Sequence, residues 1–473
     1  MKDNRRNFIK HTSLAGLGIA GGMLKGFAGE TLNDADATKP DNGFYSQQFN
    51  MSGYAAPKLE KVRVGFIGLG QRGPSHLRNM TKLAGVQIMG LCDVREEKVV
   101  KAQKLIESPE HSATLYSGNK EEWKKMCDRK DIDLVYIATP WDMHVPMAVY
   151  AMEQGKHVAI EVPAALTIDE CWQLVKTSER TRKHCMMLEN CCYDFFELMT
   201  LNMARQGFFG EIVHAEGAYI HCLLDLNFKK DGYWDMWRLK QNIGKNGNLY
   251  PTHGLGPVCQ VMNINRGDKM DYLVSMSGID YLMNDKAKEL AATDDFYKPF
   301  VNKSYRGDMN TTIIRTNKGR TIMIQHDVTS PNVYSRIHKV SGTKGSALKY
   351  PLPGRIATGH EKWLSDAEMK SMEEKYQPAI VKKVGELAKQ VGGHGGMDFL
   401  MDWRLIDCLR NGLPLDQDVY DAALWSAVGP LSQYSVAHRS NSIDVPDFTG
   451  GAWKLNKPVD ITLETGGNTT VKI

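Results

Sequence analysis

One stretch of this sequence constrains the fold more than any other: an apolar run that leads directly into a glycine-rich turn. The run Val62–Ile67 is followed by Gly68, Gly70 and Gly73 in the spacing G-x-G-x-x-G. Between a strand and a helix, Gly68 would permit a tight turn, Gly70 would let the backbone approach a pyrophosphate, and Gly73 would allow close helix packing. The spacing therefore predicts a dinucleotide-binding unit.

Asp93, which ends the next apolar run, completes this pattern. A carboxylate at that position accepts hydrogen bonds from a ribose 2′-hydroxyl and repels a 2′-phosphate. The sequence therefore favours NAD over NADP, although the nearby Arg95 argues the other way. The competing interpretation is an ordinary glycine turn with a solvated aspartate, and the surrounding strand and helix patterns favour the nucleotide site.

Residues 58–190 alternate between short apolar runs and polar segments of helical character. The predicted strands are Val62–Ile67, Val86–Leu91, Leu134–Ala138, His157–Ile160 and Cys185–Leu188, with helices such as Arg95–Ile106, Met143–Gln154 and Ile168–Arg180 between them. Buried parallel strands read as continuous apolar runs, and helices cover both faces of their sheet. The predicted fold class is α/β, with an N-terminal Rossmann domain built on a doubly wound parallel sheet.

Residues 191–473 have a different sequence pattern, in which the predicted strands are longer and apolar and polar residues partly alternate along them. The predicted strands are Ile212–Tyr219, Tyr272–Ile279, Asn310–Thr316 and Arg320–Asp327, and the predicted helices are Met397–Leu409 and Val419–Val436. Asn317-Lys318-Gly319 joins two of these strands in a hairpin pattern. The pattern predicts a C-terminal α+β domain with a mainly antiparallel open sheet, whose face offers a surface for a possible homo-oligomer.

The first residues have the order of an export signal. Paired Arg5 and Arg6 precede a weakly apolar run, and small residues follow near Ala28, which is typical of a twin-arginine signal peptide. We expect residues 1–33 to be this signal, residues 34–57 to be a polar linker outside the fold, and the protein to be exported, to the periplasm. A nicotinamide cofactor would then have to be loaded before export and returned to its starting redox state in each cycle.

The overall composition excludes several function classes. Of 473 residues, 42% are hydrophobic and 24% are charged, which is normal for a globular enzyme, and the net charge of +4 includes no basic stripe for nucleic acid. No segment is apolar for long enough to predict a membrane span. The nine cysteines show no metal-binding spacing, nor do His214 and His221. We expect reduced core thiols and no metal site.

Polar residues after two later strands extend the predicted site. Thr139-Pro140-Trp141-Asp142-Met143-His144 and Glu161-Val162-Pro163 follow apolar runs, and ligands of doubly wound sheets bind at the carboxyl ends of strands. With the glycine motif and Asp93, these segments resemble the glucose-fructose oxidoreductase / inositol dehydrogenase superfamily. Dehydrogenases of that superfamily commonly carry Glu-Lys-Pro, whose lysine assists proton transfer. Val162 cannot do this, so an ordinary carbinol dehydrogenase would lack a usual part.

A narrower resemblance accounts for that departure. Trp141–His144, Glu161-Val162-Pro163, Met187-Leu188-Glu189-Asn190 and Tyr250-Pro251-Thr252-His253-Gly254 together resemble the NAD-dependent α-N-acetylgalactosaminidases, glycoside hydrolase family 109. The resemblance implies cofactor contacts at Gln71, Arg72, Asp93, Trp141, Asp142, Met143, His144, Glu161, Val162 and Asn190. It implies sugar contacts at Tyr219, Arg238, Tyr250, Pro251, Thr252, His253 and Tyr334. It also implies acid–base roles for Tyr193 and His253, and we include Tyr250 and Glu161 in the catalytic set.

The resemblance implies a cycle that leaves no net redox change. The sugar is oxidised at C3, the aglycone is eliminated from C1, water adds and C3 is reduced again, with retention; such glycosidases depart from the two-carboxylate pattern. The substrate would carry a terminal N-acetylhexosamine. Two alternatives stay open: an exported sugar oxidoreductase with a recycled NAD(P), and a non-catalytic sugar-binding protein. For Arg238, the alternative to sugar binding is an ion pair with Asp235.

Overall fold

The first sheet of the protein is parallel and carries the glycine motif. A computed structural model describes residues 45–106 and 108–472. Within them this sheet has six strands in the order β3-β2-β1-β4-β5-β6. They are β1 (Val62–Ile67), β2 (Val86–Cys92), β3 (Thr114–Tyr116), β4 (Leu134–Ile137), β5 (His157–Ile160) and β6 (Cys185–Met187). Its order and its parallel pairing confirm the predicted doubly wound sheet.

Five helices connect these strands. They are α1 (Gly73–Thr81), α2 (Glu96–Gln103), α3 (Glu122–Cys127), α4 (His144–Glu153) and α5 (Ile168–Thr181). Helix α5 begins with a capping box, in which Thr167 and Glu170 satisfy each other's backbone N–H groups. The short strand β3 is absent from the predicted strands because its three residues carry no clear apolar run.

The second sheet is mixed and mainly antiparallel, as predicted. Its order is β13-β12-β11-β7-β10-β9-β8-β14 among the described residues. Its strands are β7 (Ile212–Ile220), β8 (Met270–Ser277), β9 (Met309–Thr316), β10 (Thr321–Asp327), β11 (Lys339–Gly342), β12 (Ser346–Leu348), β13 (Arg355–Ala357) and β14 (Ile443–Asp444). Strands β9 and β10 form the predicted hairpin, and β7 and β10 are the parallel pair.

The C-terminal half contributes the remaining α-helices of the described residues, and the last two of them contact helices of the nucleotide-binding domain. They are α6 (Phe195–Arg205), α7 (Leu224–Phe228), α8 (Trp237–Gln241), α9 (Thr252–Val261), α10 (Leu282–Ala291), α11 (Asp366–Tyr376), α12 (Ala379–Val391), α13 (Met397–Asn411) and α14 (Val419–Ala437). Helix α13 packs against α1, and α14 packs against α5, β6 and β8. Helix α14 therefore joins the nucleotide-binding sheet to the second sheet, and α13 ties the C-terminal half to α1.

The segment before the first strand is part of the fold, which corrects one prediction. The predicted linker spans residues 34–57, yet Met51 and Ala56 are buried. The Tyr45 hydroxyl donates to Glu179 on α5 (2.6 Å), and the Met51 N–H donates to the hydroxyl of Tyr420 on α14 (3.1 Å). Residues 45–57 therefore pack on α5 and α14, while the predicted signal peptide lies outside the described residues. No helix of the described part combines the length and apolar character of a membrane span.

The Tyr420 hydroxyl joins residues 45–57 to α5 and α14, so removing it tests how much this packing stabilises the protein. It donates to Glu179 (2.8 Å) and accepts from Gln47 and Met51. We expect Tyr420→Phe to lower the free energy of unfolding by about 1–3 kcal/mol, because it leaves buried polar groups without a partner. Urea denaturation measures this change.

The matched control is Tyr434→Phe on the same helix. Its hydroxyl makes no hydrogen bond within the described residues, and its ring stacks on His438 instead. Equal stability losses in the two variants would contradict the assigned role of the Tyr420 hydroxyl.

Candidate active site

A cavity of about 820 Å³ opens at the carboxyl ends of the parallel strands. Residues at the ends of β1, β2, β4, β5 and β6 line it, together with residues of the second sheet and of the segment after β7. Its size lies within the range of sites that enclose a cofactor or small ligand. The strands therefore deliver their ends to the cavity in the way that doubly wound sheets bind ligands.

The glycine turn has the shape that a dinucleotide requires. Gly68 has a φ of +90°, and a Cβ there would lie 2.5 Å from the Ala138 carbonyl oxygen. A Cβ on Gly73 would lie 2.1 Å from the Gly68 carbonyl oxygen, so this glycine allows close packing and does not line the cavity. A Cβ on Gly70 would meet only the Arg95 guanidinium, at 3.6 Å. The turn therefore leaves the backbone open at Gly70, where a pyrophosphate would approach.

Asp93 is held at the end of β2 by two neighbours. Its Oδ2 accepts from the Leu69 N–H (2.8 Å), and its Oδ1 accepts from Arg95 Nε (3.1 Å). Asp93 lines the cavity, although only 7% of the residue is exposed to solvent. The carboxylate is fixed where a ribose hydroxyl would bind, and the nearby Arg95 belongs to the same wall.

A chain of buried charges runs behind the turn. Arg72 donates to Glu161 (Nε to Oε1, 2.9 Å) and to Asp398 on α13 (Nη1 to Oδ2, 3.1 Å). The ring of His76 on α1 lies between Glu161 (Nε2, 3.2 Å) and Asp402 on α13 (Nδ1, 2.8 Å). The side chains of His76, Asp398 and Asp402 are fully buried. Buried ionised groups require such pairing, so this chain ties α1 and β5 to α13.

The protonation states follow from this arrangement. Burial raises the pKa of Glu161, but the charge of Arg72 and the hydrogen bond from His76 outweigh it and hold this pKa well below its ordinary value. Burial and the charge of Arg72 oppose a proton on His76, yet the carboxylates of Asp402 and Glu161 raise its pKa to about 9. Glu161 is therefore an ionised partner of Arg72 and His76, and its place in the catalytic set stays a prediction.

Other predicted cofactor residues are brought to the same cavity. Trp141, Asp142, Met143, His144, Val162 and Asn190 all line it, as does Gln71. The two ring nitrogens of His144 lie 2.8 Å from the Pro163 carbonyl oxygen and 3.0 Å from that of Thr139, so this histidine ties the β4 loop to the β5 loop. Asn190 donates to Asp398 (2.5 Å), which joins the end of β6 to the buried charges.

The opposite end of the cavity is aromatic and carries one guanidinium. Tyr219 and Tyr250 lie with their ring centroids 4.7 Å apart. The Arg238 guanidinium lies 5.1 Å from the Tyr250 ring and 5.3 Å from the Trp141 ring. Asp235 pairs with Lys240 (2.8 Å), so the alternative ion pair between Arg238 and Asp235 is wrong. Arg238 makes no salt bridge within the described residues. Its Nη1 donates to the Tyr233 hydroxyl (3.0 Å), and its other donors are available to a neutral polar ligand.

A buried carboxylate orients the cavity histidine. His253 Nδ1 lies 2.7 Å from Glu189 Oε1, and Glu189 is fully buried at the end of β6. Burial raises the pKa of Glu189, but the charge and hydrogen bond of His253 outweigh it and hold that pKa below its ordinary value. With Nδ1 bound to the carboxylate, Nε2 is the ring nitrogen left for a ligand, as in other carboxylate–histidine pairs.

The same histidine belongs to a cluster with metal-ligand atoms. One atom each of Glu189, Cys191 and His253 lies within 4.8 Å of the others. Burial raises the pKa of the Cys191 thiol well above its ordinary value, so the thiolate that binds metals is disfavoured. The direct bond between Glu189 and His253 already uses two of the three ligand atoms. We therefore interpret this cluster as a proton-transfer pair.

Two glycines place His253 over the second sheet. A Cβ on Gly217 of β7 would lie 2.4 Å from the Gly254 carbonyl oxygen, and a Cβ on Gly254 of α9 would lie 2.2 Å from the Ala218 nitrogen. Helix α9 thus rests directly on β7, and a side chain at either glycine would push them apart. The close contact sets the depth at which His253 enters the cavity.

Five predicted residues do not line the cavity, Gly73 of the glycine turn among them. Tyr193 is 2% exposed, and its hydroxyl donates to Asp416 (3.3 Å) within the core. The structure therefore does not bring Tyr193 to the cavity, and its acid–base role stays a prediction that this placement does not support. Pro251 and Thr252 are buried at the start of α9. Tyr334 lies behind the cavity wall, with its ring 5.0 Å from that of His221.

Several residues of the site, in the cavity wall or directly behind it, were not among those predicted. Glu189 lay inside a motif that carried the resemblance, so its pairing with His253 had a sequence signal. His221 lines the cavity, and its Nδ1 lies 2.9 Å from the Tyr219 hydroxyl. His394 lines it too, with Nδ1 2.8 Å from Asp398 Oδ2; the glycines on both sides of His394 were its signal. The remaining such residues carry no local signal.

The His76 charge generates a prediction about stability and pH. Its pKa of about 9 in the folded protein exceeds the ordinary value of 6.5, so folding favours the protonated ring. The resulting stability, on the order of 3 kcal/mol, is fully present below pH 6.5 and is lost as the pH rises towards 9. We expect His76→Gln to flatten the fall of unfolding free energy between these pH values.

The control is His360→Gln, which replaces an exposed histidine and should leave the pH dependence as it is. Denaturation curves at half-unit pH steps measure both. An unchanged slope in His76→Gln would show that this ring is not protonated in the folded protein.

Comparison with known sequences agrees with the two-part organisation of the site. Residues 62–189 match the oxidoreductase family with an NAD-binding Rossmann fold, and residues 193–455 match the C-terminal domain of glycosyl hydrolase 109. A glycosyl hydrolase family 109 protein 1 of Bacteroides fragilis strain YCH46 is 48% identical, over 95% of this chain and 98% of its own. An alpha-N-acetylgalactosaminidase of Bacteroides fragilis strain ATCC 25285 is 51% identical, over 86% of this chain and 96% of its own.

Solved structures show the same fold at low identity. A levoglucosan dehydrogenase in complex with NADH and L-sorbose has a TM-score of 0.62 and 17% identity, and the match covers 82% of this chain and all of that one. An aldose-aldose oxidoreductase from Caulobacter crescentus has a TM-score of 0.57 and 15% identity, and the match covers 81% of this chain and 99% of that one. These likenesses concern the fold alone. The sequence matches confirm the resemblance drawn from the motifs: the chain belongs to glycosyl hydrolase family 109 and carries an NAD-binding Rossmann domain.

Proposed function

We propose that this protein hydrolyses terminal α-linked N-acetylgalactosamine from glycans by oxidation at C3, elimination at C1, addition of water and re-reduction, with retention. The observation that carries the proposal is the Glu189–His253 pair, which faces a cavity shaped for a dinucleotide. The sugar preference follows the alpha-N-acetylgalactosaminidase relative, which is 51% identical.

The buried carboxylates of the site do not suit a conventional glycosidase. That mechanism needs a protonated carboxylic acid to donate to the leaving group. The pKa values of Glu161 and Glu189 both lie below their ordinary values, Glu161 beside Arg72 and His76 and Glu189 beside His253. Both are ionised and paired, so neither is a general acid at neutral pH.

The residues at the aromatic end have distinct roles in the proposed cycle. When bound, NAD⁺ supplies reversible hydride transfer at C3 of the sugar. A ketone at C3 acidifies the C2 proton, and His253 Nε2 accepts that proton while Glu189 stabilises the charged ring. His253 takes this role because Tyr193, the other predicted acid–base residue, is directed into the core.

Arg238 and its aromatic neighbours orient the sugar in this proposal. The guanidinium has no carboxylate partner in the described part of the chain and lies between Trp141, Tyr233 and Tyr250. It can donate to a hydroxyl or to the acetamide carbonyl without an electrostatic competitor. Val162 completes the wall as an apolar residue, so this position carries no lysine that could compete with His253 for the proton.

The first test uses the purified protein with 4-nitrophenyl α-N-acetylgalactosaminide and no added cofactor. We expect release of nitrophenol, and release of NAD from the protein on denaturation. Removal of NAD should abolish hydrolysis, and added NAD⁺ should restore it, because the cofactor is recycled and not consumed. Hydrolysis by protein shown to be free of NAD would contradict the proposal.

Variants of the Glu189–His253 pair serve as internal controls for this test. His253→Gln should lower kcat by about 10²- to 10⁴-fold, the usual contribution of a general base, and Glu189→Gln should lower it less. Tyr193→Phe should leave kcat close to that of the unchanged protein, because its hydroxyl lies in the core. A larger loss in Tyr193→Phe than in His253→Gln would reverse the assignment.

We also propose that the protein acts in the periplasm, as the sequence before the described residues indicates. Arg5 and Arg6 precede the weakly apolar run of a twin-arginine signal. Replacing both arginines by lysine should keep the glycosidase activity in the cytoplasmic fraction of the cells. Equal periplasmic activity with and without the arginine pair would contradict this route.

A further inference from the structure

One segment of the second domain reaches across the far end of the cavity. The Gly232 carbonyl accepts a hydrogen bond from Gln71 Nε2, in the glycine turn. The Arg95 guanidinium lies 5.7 Å from the centre of the Trp234 ring. The Trp237 ring lies 5.2 Å from that of Trp141. Residues 229–237, which we name the crossing segment, therefore contact the nucleotide-binding domain at three separate points.

The contact between Arg95 and Trp234 lies at the adenosine end of the site. Asp93 and Arg95 follow β2, whereas Glu189 follows β6, and the strand order places β2 and β6 on opposite sides of β1. In this fold the carboxylate after the second strand binds the adenosine ribose. Trp234 lines the cavity together with Asp93, Arg95 and Lys98. Trp234 therefore lies on the side of Asp93, whereas Tyr233 of the same segment reaches the aromatic end, where its hydroxyl accepts from Arg238 (3.0 Å).

The crossing segment is fastened to the second domain on both sides of Trp234. Lys230 pairs with Asp294 (2.5 Å) and lies 4.4 Å from the Phe296 ring. Asp235 pairs with Lys240 (2.8 Å). These pairs flank Trp234, whose indole lines the groove while 41% of the residue remains exposed.

We propose that Trp234 and Arg95 form a clamp over the adenosine half of NAD, and that this clamp prevents exchange of the cofactor between catalytic cycles. A flat indole and a guanidinium are groups that stack on a purine base. The value of retention rests on the proposed function, because only an enzyme that restores its cofactor in each cycle has no need to release it. The clamp itself rests on the contacts of the crossing segment and on the NAD-binding domain.

The test measures cofactor exchange and does not depend on hydrolysis. The purified protein with its bound NAD is mixed with an excess of ¹⁴C-labelled NAD⁺, and incorporation of label is followed over time. Trp234→Ala should exchange about 10- to 100-fold faster than the unchanged protein, the usual effect of losing one base–aromatic stack. Trp234→Phe keeps a flat ring and should exchange slowly.

The control is Trp363→Ala, which removes an indole of similar exposure, 39%, that does not line the cavity. It should exchange at the rate of the unchanged protein. Exchange in Trp234→Ala at that same rate, with an unchanged melting temperature, would overturn the clamp. Fast exchange in the unchanged protein would show that NAD is not retained between catalytic cycles and would overturn the proposal. If the unchanged protein hydrolyses no glycoside but exchanges NAD slowly, and Trp234→Ala exchanges it faster, the clamp is supported. That result would contradict the proposed function and not the clamp.

Discussion

The buried ion pairs that link Arg72, Glu161 and His76 to helix α13 hold the whole site together. Their carboxylate partners on α13, Asp398 and Asp402, lie more than three hundred residues along the chain from Arg72. Because each buried charge depends on its neighbour, removing one would leave another unpaired in a medium that solvates it poorly. The pairs therefore do more than stabilise the fold, since they fix the glycine turn against the far end of the polypeptide.

The two halves of the site come from different sheets. The parallel sheet supplies the groove for NAD and the carboxylate Glu189, while the second sheet supplies His253 through the close contact of Gly217 with Gly254. A glycosidase built in this way needs no pair of opposed carboxylic acids. It needs a cofactor held in one place and a base at a fixed distance from it, and a clamp such as Trp234 would serve the first requirement.

The sequence predicted those elements whose conformation depends on a few neighbouring residues. The glycine turn, the β9–β10 hairpin and helices α13 and α14 have their signals within a few neighbouring residues. The direction of a single side chain has none: Tyr193 follows a strand end, as a cavity residue would, yet its turn directs it to Asp416. The packing of Met51 on Tyr420 and the pairing of His76 with Asp402 join residues distant in the chain, so no window of sequence contains them.

In the proposed cycle the glycosidic bond breaks by elimination after oxidation at C3. Hydrolysis of 4-nitrophenyl α-N-acetylgalactosaminide in deuterated water, with mass and NMR analysis of the released sugar, examines this step itself. The proposed cycle removes the C2 proton and later replaces it from solvent, so it predicts deuterium at C2 of the product. Release of nitrophenol with hydrogen retained at C2 would contradict elimination and would require a direct displacement at C1.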